Sequence, residues 1–217
     1  MKILQERDVA AVSAKLSELE RPVKLINFTQ EFECQYCRET RWMLEDVTSL
    51  SGKLSLEVYN FQRDKEKVAE YRIDKIPATV VEGEKDYGIR FYGVPTGYEF
   101  ATLLEDILAV SKRSSGLPQH VIERLRTVNQ TLHIQVFVTP TCPMCPVAVK
   151  MAHQFAMEND LITADVVEAP EFPQLVQNHG VHGVPRTIVN DTVSIEGAWP
   201  VDFYLEKVLE AVRQKIS

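Results

Sequence analysis

Cys34-Gln35-Tyr36-Cys37 and Cys142-Pro143-Met144-Cys145 contain all four cysteines of this 217-residue chain, each time as a pair with two residues between them. A short apolar segment that predicts a strand, at 23–28 or 134–138, leads into each pair. A segment with helical periodicity, at 37–50 or 145–159, follows it. Each pair is therefore predicted to lie where a strand ends and a helix begins. In a cytosolic protein this spacing indicates redox chemistry or metal binding, because structural disulfides are rare there.

The surroundings of the two pairs repeat. Cys34 and Cys142 are 108 residues apart, and so are Pro77 and Pro185. The sequences around the two prolines are also similar, because an apolar residue precedes each proline and a threonine follows two positions later. Since proline is only about 5% of residues in average proteins, chance is a poor explanation. The chain is predicted to be an internal duplication.

Both halves give the same order of predicted elements. An amphipathic helix (7–20 or 118–130) and the first strand are followed by the cysteine pair with its helix, then by a second strand (54–61 or 162–167) and a short helix near Val68 or Leu175. After the proline come a hairpin and a closing helix, at 98–111 or 201–214. Alternating strands and helices predict an α/β protein. We expect two units, residues 1–115 and 116–217, joined by the small polar segment 111–116.

Composition excludes several functional classes. The formal net charge is −7 and no block of lysine or arginine occurs, which argues against a nucleic-acid partner. No apolar run approaches the roughly 20 residues of a membrane helix, so no membrane partner is expected. The first residues lack the apolar region of a secretory signal, and a cytoplasmic location is the expectation. No glycine-rich phosphate loop is present, so we expect no bound nucleotide cofactor.

The cysteine spacing suits thiol–disulfide exchange. The start of a helix carries unpaired N–H groups and a partial positive charge, which favour a thiolate at Cys34 and Cys142. Only the thiolate attacks a disulfide. Cys37 and Cys145 lie close to one helical turn further on and can resolve the mixed disulfide. These four residues are the predicted catalytic groups.

The two prolines have a predicted role in substrate binding. An Ile76–Pro77 or Val184–Pro185 bond just before a strand is a candidate cis peptide, which presents the backbone of the preceding residue to a ligand. The alternative is a proline that merely starts a strand. Its repetition at the same distance from a cysteine pair favours the functional interpretation.

Strand, cysteine pair, helix and apolar-Pro-x-Thr loop, present twice, resemble the thioredoxin/glutaredoxin superfamily. Two such units in one chain resemble the protein disulfide oxidoreductases, also called glutaredoxin-like proteins. The resemblance implies two tandem thioredoxin-like units, each a central mixed β-sheet flanked by helices. It also implies a cytosolic enzyme that reduces, oxidises or isomerises protein disulfides without a bound cofactor. Electrons would come from a thioredoxin reductase-like flavoenzyme.

The sequence departs from the family pattern in two places. Met144 stands where family members commonly have tyrosine. Thioredoxins keep a buried acid six residues before the first cysteine, where this chain has Phe28 and Val136. Glu57 and Asp165, related by the same 108-residue shift, are the candidates for proton handling instead. The alternative for both is a solvated strand face.

Two other functions compete with this interpretation. Two cysteine pairs could bind zinc, but structural zinc pairs are usually about 15–20 residues apart and here 104 residues lie between the pairs; no metal is expected. The second competitor is an electron-relay module that resembles the tandem thioredoxin-fold domain of alkyl hydroperoxide reductase flavoproteins. That domain serves one dedicated partner and keeps one working cysteine pair, whereas both pairs are intact here.

The two sites are expected to differ in reactivity. Glu31 and Glu33 precede Cys34, and nearby carboxylates disfavour a thiolate. Cys142 follows neutral residues, and Pro143 suits a helix start because it has no N–H to leave unpaired. Arg186 is a further candidate neighbour of the second site. The prediction is that Cys142 has the lower pKa and dominates turnover.

Overall fold

A computed structural model of the chain describes residues 4–214 and shows a mixed α/β protein. The first three residues of the first predicted unit and the last three of the second lie outside this range. No described helix has the length and hydrophobicity that crossing a membrane requires. The first half contains α1 (Glu6–Leu16), β1 (Val23–Thr29), α2 (Cys37–Thr48), β2 (Leu54–Asn60), α3 (Lys65–Glu70), β3 (Ala78–Glu82), β4 (Asp86–Tyr92) and α4 (Tyr98–Lys112). The second contains α5 (Gln119–Arg126), β5 (Leu132–Val138), α6 (Cys145–Glu158), β6 (Ile162–Glu168), a 3₁₀ turn (Ala169–Glu171), α7 (Pro173–Asn178), β7 (Arg186–Val189), β8 (Val193–Glu196) and α8 (Val201–Gln214).

All eight strands form one sheet, in the order β2-β1-β3-β4-β6-β5-β7-β8. Strands β1, β4, β5 and β6 run in the same direction, because β3 is antiparallel to β1 and β4 while β6 is parallel to β4 and β5. Their carboxyl ends therefore share one edge of the sheet. We call this the cysteine edge, and it is marked by Thr29, Tyr92, Val138 and Glu168.

The sheet is covered on both faces, which explains why its strands are apolar almost throughout. A larger hydrophobic core includes Ile89 and Phe91 of β4 and packs against α4 and α6. A smaller core on the opposite face includes Phe28, Tyr92 and Phe137.

The two repeats are joined through the sheet itself. Strand β4 pairs in parallel with β6, from Ile89 opposite Ala164 to Tyr92 opposite Val167. Gly88 has a φ of +78°, and a Cβ there would lie 2.7 Å from the carbonyl oxygen of Ile162, so only glycine allows this approach. The duplicated halves are consequently two repeats of the same order of elements, built on one continuous sheet.

The predicted polar joint is only partly a linker. Ser111 belongs to α4 and is fully buried. Its Oγ accepts hydrogen bonds from the backbone N–H groups of Glu20 (2.9 Å) and Arg21 (2.8 Å) and donates to the carbonyl of Arg21. The side chain thus ties the end of α4 to the segment before β1.

Candidate functional site

Each cysteine pair lies at the cysteine edge, where a strand passes into a helix. Cys34 and Cys37 form one disulfide and Cys142 and Cys145 form the other, each with a Cα–Cα distance of 5.5 Å. The second cysteine of each pair is the first residue of its helix and is buried, whereas the first cysteine is partly exposed. This geometry gives each pair one sulfur that a substrate can reach and one that it cannot.

The second pair has a hydrogen bond that favours a charged sulfur. The backbone N–H of Cys145 donates to Sγ of Cys142 at a distance of 3.1 Å. A hydrogen bond to a thiolate stabilises the ionised form. Within residues 4–214, the Cys34 sulfur has no corresponding bond.

The two repeated prolines lie beside the cysteine pairs. Both Ile76–Pro77 and Val184–Pro185 are cis peptides, the form that the sequence pattern had suggested. Strand β3 pairs with β1 so that Ala78 opposes Phe28, and this places Pro77 next to the loop that carries Cys34. The second half repeats the arrangement, because Arg186 of β7 opposes Phe137 of β5.

The backbone before each proline is available to a ligand. The carbonyl of Pro77 accepts from Gly93 N–H at 3.0 Å, and that of Pro185 accepts from Gly197 N–H at 2.8 Å. Ile76 and Val184, in contrast, make no backbone–backbone hydrogen bond within the described part of the chain. An extended peptide could pair with these free groups as it would with a sheet edge.

The surroundings of the two sites differ in charge. A pocket of about 500 Å³ beside Cys34 is lined by Glu31, Arg38 and Arg41. A second pocket, of about 350 Å³, contains Val184, Pro185 and Arg186. Arg186 is paired with Glu196. Positive charge therefore lies close to Cys34 as well, although the residues just before it are acidic, and this bears on the predicted order of reactivity.

Exposed apolar side chains surround the sites. Phe32, two residues before Cys34, is 80% exposed, and Met144, between the second pair, is 51% exposed. Trp199 and Phe203 are also exposed and stack with ring centroids 4.5 Å apart. Trp199 follows Gly197, which shares a pocket with Pro185. Such side chains suit contact with a protein surface.

The two carboxylates predicted for proton handling lie in ion pairs. Glu57 on β2 accepts from the Tyr59 hydroxyl (2.7 Å) and pairs with Lys24 (2.9 Å), and these contacts hold its pKa below the usual value. Asp165 on β6 is buried, and burial works to raise its pKa, but the hydrogen bond with His133 (2.7 Å) and the positive charges of His133, Lys75 and Arg90 together lower it. Both groups favour the ionised form. Their role in proton handling stays a prediction.

Sequence reasoning missed a different group of carboxyls at the cysteine edge. Glu99 and Glu168 are 0% and 2% exposed, and their carboxyl oxygens have no hydrogen-bond partner among the described residues. Burial raises the pKa of Glu99 to about 7. Burial, with the nearby charges of Glu99 and Glu171, raises the pKa of Glu168 to about 8. One signal was available in the sequence. Side chains alternate between the two faces of a strand, so Glu168 lies on the same face of β6 as the buried residues Ile162, Ala164 and Val166.

The geometry also bears on zinc. Strands β1 and β5 are separated by four inter-strand spacings in the sheet. At about 4.8 Å per spacing, the strands that lead into the two cysteine pairs are about 19 Å apart. Four thiolates so placed do not converge on one ion. Within residues 4–214, no group of three or more His, Cys, Asp or Glu side chains is arranged to hold a metal.

Comparison with known proteins identifies both repeats. A family model described as a thioredoxin domain matches residues 25–105 and 132–210. The fold is similar to the crystal structure of a protein disulfide oxidoreductase from Aeropyrum pernix K1, with a TM-score of 0.92 and 29% identity over 99% of this chain and 96% of that one. It is also similar to the structure of the alkyl hydroperoxide reductase AhpF from Enterococcus faecalis, with a TM-score of 0.86 and 25% identity over 94% of this chain and 99% of that one.

Curated relatives are longer proteins. The alkyl hydroperoxide reductase AhpF of Staphylococcus aureus is 25% identical over 172 residues, which are 79% of this chain and 31% of that protein. A Bacillus subtilis protein named NADH dehydrogenase is 24% identical over 166 residues, which are 76% of this chain and 30% of that protein. This chain thus spans about a third of the length of these relatives.

Proposed function

The chain belongs to the thioredoxin domain family, and from that premise we propose that it is a protein dithiol–disulfide oxidoreductase with two working sites. One observation carries the proposal above the others. Each repeat brings a half-exposed cysteine, a buried cysteine and a cis-proline loop with free backbone groups to the same edge of the sheet. These are the parts that exchange with a polypeptide disulfide requires.

The reaction at the second site has two steps. The Cys142 thiolate attacks one sulfur of the substrate disulfide, which forms a mixed disulfide and releases the other substrate sulfur as a thiolate that takes up a proton. The Cys145 thiolate then attacks Cys142 Sγ of the mixed disulfide and releases the second substrate sulfur. Two electrons have passed to the substrate, and the chain is left with the Cys142–Cys145 disulfide that the structure shows. Cys34 and Cys37 act in the same way at the first site.

The substrate is a polypeptide held by its backbone. We assign the free backbone groups of Ile76 and Val184, with Pro77 and Pro185 behind them, to pairing with an extended segment of the substrate. The exposed Met144 and Phe32 add apolar contact beside the reacting sulfurs. Recognition that relies on backbone and apolar contacts accommodates many sequences.

A proton acceptor near neutral pH is needed for the buried cysteine to attack. Glu99 has a pKa raised to about 7 by burial, which is close to the value a general base requires. Its neighbour Tyr98 donates its N–H to the carbonyl of Pro140 (3.1 Å), two residues before Cys142. We therefore add Glu99 to Glu57 and Asp165 as a candidate for proton handling. Its raised pKa makes it the strongest of the three.

The proposed setting is the cytoplasm, with a thioredoxin reductase-like flavoenzyme as the source of electrons. All four cysteines belong to the two CxxC pairs, a pattern that suits a redox protein in a reducing compartment. The relatives named alkyl hydroperoxide reductase AhpF support a flavoenzyme partner.

The test is reduction of an unrelated protein disulfide, such as insulin, with dithiothreitol as the electron source. We expect turnover by the parent protein, loss of most of it in Cys142→Ser and a smaller loss in Cys34→Ser. Cys142→Ser with Cys34→Ser should leave only the uncatalysed rate. A parent protein no faster than dithiothreitol alone would contradict the proposal.

The similarity to the alkyl hydroperoxide reductase AhpF favours a second candidate, an electron-relay module for one partner. A relay would exchange rapidly with that partner and slowly with unrelated disulfides. Activity on several unrelated proteins would support the oxidoreductase, and activity with a single flavoenzyme-linked partner would support the relay.

A further inference from the structure

A third pocket lies at the cysteine edge, between the two cysteine pairs. It has a volume of about 360 Å³, and its lining includes Tyr36, Val94, Pro140, Glu168, Pro170 and Glu171. We call it the glutamate pocket. Tyr36 lies between the first pair of cysteines, and Pro140 lies two residues before Cys142. Val94 lies two residues after the end of β4 and Glu168 is the last residue of β6, the two central strands, so the pocket bridges the repeats.

Two carboxyls of this pocket, those of Glu168 and Glu171, lack a positive partner among the described residues, whereas Glu39 lies 4.0 Å from Arg38. Both oxygens of Glu168 are buried without a hydrogen bond from the described residues. One oxygen of Glu171 accepts from Val94 N–H (2.9 Å), but its other oxygen is buried and likewise unpartnered, as is Oε2 of Glu39. Among residues 4–214, neither Glu168 nor Glu171 forms an ion pair. Buried polar groups in native proteins are nearly always satisfied, so these acceptors point to a donor that comes from outside the chain.

The rest of the pocket limits what that donor can be. Val94, Pro140 and Pro170 provide apolar surface in the same pocket as the carboxyls. A lysine side chain has this character, because its aliphatic stem packs on apolar atoms while its ammonium carries three donors. The unpartnered oxygens belong to three different side chains, which suits a compact ammonium better than a planar guanidinium.

We propose that the glutamate pocket binds a lysine side chain of the protein substrate, close to the disulfide that is exchanged. This rests on the proposed function and adds a preference to it. The ammonium supplies the counter-charge for Glu168 and Glu171, and the substrate backbone runs along the cysteine edge past Cys142 or Cys34.

The sheet fixes where such a lysine must lie in the substrate. Adjacent strands are about 4.8 Å apart. The midpoint between β4 and β6 is therefore one and a half spacings, or about 7 Å, from β5 and two and a half spacings, or about 12 Å, from β1. An extended peptide covers about 3.3 Å per residue. The lysine should therefore lie about two residues from the attacked cysteine when Cys142 reacts and about four residues away when Cys34 reacts.

The experiment uses short peptides with one disulfide and a test residue two, three or four positions after the second cysteine. The test residue is lysine, norleucine or glutamate, so that norleucine keeps the stem and removes the charge. Turnover is measured as kcat/KM for the 217-residue chain, for the double variant Glu168→Gln with Glu171→Gln, and for Glu123→Gln. Glu123 is an exposed acid on α5 and serves as the matched control.

At the best offset, we expect lysine to exceed norleucine about tenfold in kcat/KM with the parent and the control. The ratio should fall to about one in the double variant, with the norleucine peptide little changed. A ratio of one in the parent would overturn the proposal. So would an equal loss for both peptides in the double variant, because the carboxyls would then serve the reaction itself.

A second measurement separates this proposal from the proposed function. Binding of the same peptides with both cysteines replaced by serine is measured by calorimetry. Suppose that no peptide is turned over but the lysine peptide binds about tenfold more tightly than the norleucine peptide. That result would support the lysine-binding pocket and contradict the proposed oxidoreductase activity. Equal binding of the two peptides overturns the pocket.

Discussion

At the scale of single residues, Glu168 is a carboxyl group that is buried beside the candidate site, although burying an ionisable group lowers the stability of the fold. The side chain sits in the larger core at the end of a central strand, where leucine or valine would contribute to packing. Burial raises its pKa to about 8, so its carboxyl is mainly protonated at neutral pH in the absence of a ligand. The residue is thus neutral without a ligand and is expected to ionise when a positive group binds beside it.

Replacing Glu168 by glutamine should stabilise the protein, and the effect should depend on pH. The carboxyl has a usual pKa of 4.5 and a folded value of about 8. Below pH 4.5 it is protonated in both states and costs little. As pH rises from 4.5 to 8, the unfolded state loses the proton first, so the parent loses stability. Glutamine has no such penalty.

We expect Glu168→Gln to change the free energy of unfolding by less than about 1 kcal/mol at pH 5 and to raise it by about 2–4 kcal/mol at pH 8.5. Urea unfolding of the oxidised proteins at both pH values measures this. Glu123→Gln should show no difference between them. A stabilisation by Glu168→Gln that is equal at pH 5 and pH 8.5 would show that Glu168 does not titrate in this way.

The reactivity of the two attacking cysteines is a separate prediction at this scale. The Cys145 N–H bond to Cys142 Sγ favours a thiolate there, while Arg38 and Arg41 favour one at Cys34 and Glu31 opposes it. We expect the direct hydrogen bond to prevail, because it acts on the sulfur itself at 3.1 Å. Cys142 should then be alkylated at a pH about one unit lower than Cys34.

The measurement is alkylation of the reduced protein between pH 5 and 9, with the modified peptides quantified by mass spectrometry. Cys34→Ser and Cys142→Ser each isolate one site and serve as matched controls. Alkylation of Cys34 at the lower pH would reverse the order and show that the arginines of the first pocket dominate.

At the scale of secondary structure, the sequence indicated most elements because their signals are local. Strand β1, predicted at 23–28, is observed at Val23–Thr29, and α6, predicted at 145–159, at Cys145–Glu158. The long helix predicted at 7–20 ends at Leu16. The 108-residue repeat could be detected in the sequence because cysteine and proline are rare residues, and each recurs at the same distance in the two halves.

The features that the sequence did not predict depend on contacts between distant segments. The pairing of β4 with β6 needs two strands about 75 residues apart to share an edge, and no local pattern signals it. The burial of Glu99 was not signalled either, because charged residues at a helix start ordinarily face solvent. Glu57 and Asp165 were predicted from their matching positions in the two halves. Those positions do not indicate that Glu57 pairs with Lys24 or that Asp165 pairs with His133.

The start of α4 offers a prediction at the element scale. Gly97 has a φ of +60°, and a Cβ there would overlap the carbonyl oxygen of Pro140. Gly180 has a φ of +58° but nothing within 4 Å of its Cβ position among the described residues. Gly180→Ala should therefore cost only the backbone strain, about 1–2 kcal/mol. Gly97→Ala should cost about 3 kcal/mol or more, because the loop before Cys142 must also move.

Thermal or urea unfolding of the two variants gives the comparison, and alkylation of Cys142 gives a second readout. Gly97→Ala should slow that alkylation or shift its pH dependence, whereas Gly180→Ala should leave it unchanged. Equal destabilisation by the two substitutions would show that the contact of α4 with Pro140 does not constrain the second site.

At the scale of the whole molecule, the continuous sheet makes the two repeats one structural body. The β4–β6 pairing carries backbone hydrogen bonds across the junction, and α4 packs on α6 over it. Buried Asp106 and His153 meet there, with Oδ2 and Nδ1 2.6 Å apart. A repeat on its own would expose a strand edge, an apolar helix face and one partner of this pair.

We accordingly expect residues 1–115 and 116–217 to be repeats in structure but not independent in folding. The full chain should unfold in one transition, with tryptophan fluorescence and circular dichroism coincident. Each half alone should unfold without cooperativity or self-associate, because an unpaired central strand such as β4 is a template for another edge. Cooperative unfolding of both monomeric halves would contradict this. If the halves depend on each other, their cysteine pairs are held at the ends of two strands about 19 Å apart in one sheet, so a substrate must move between them while the sites stay fixed.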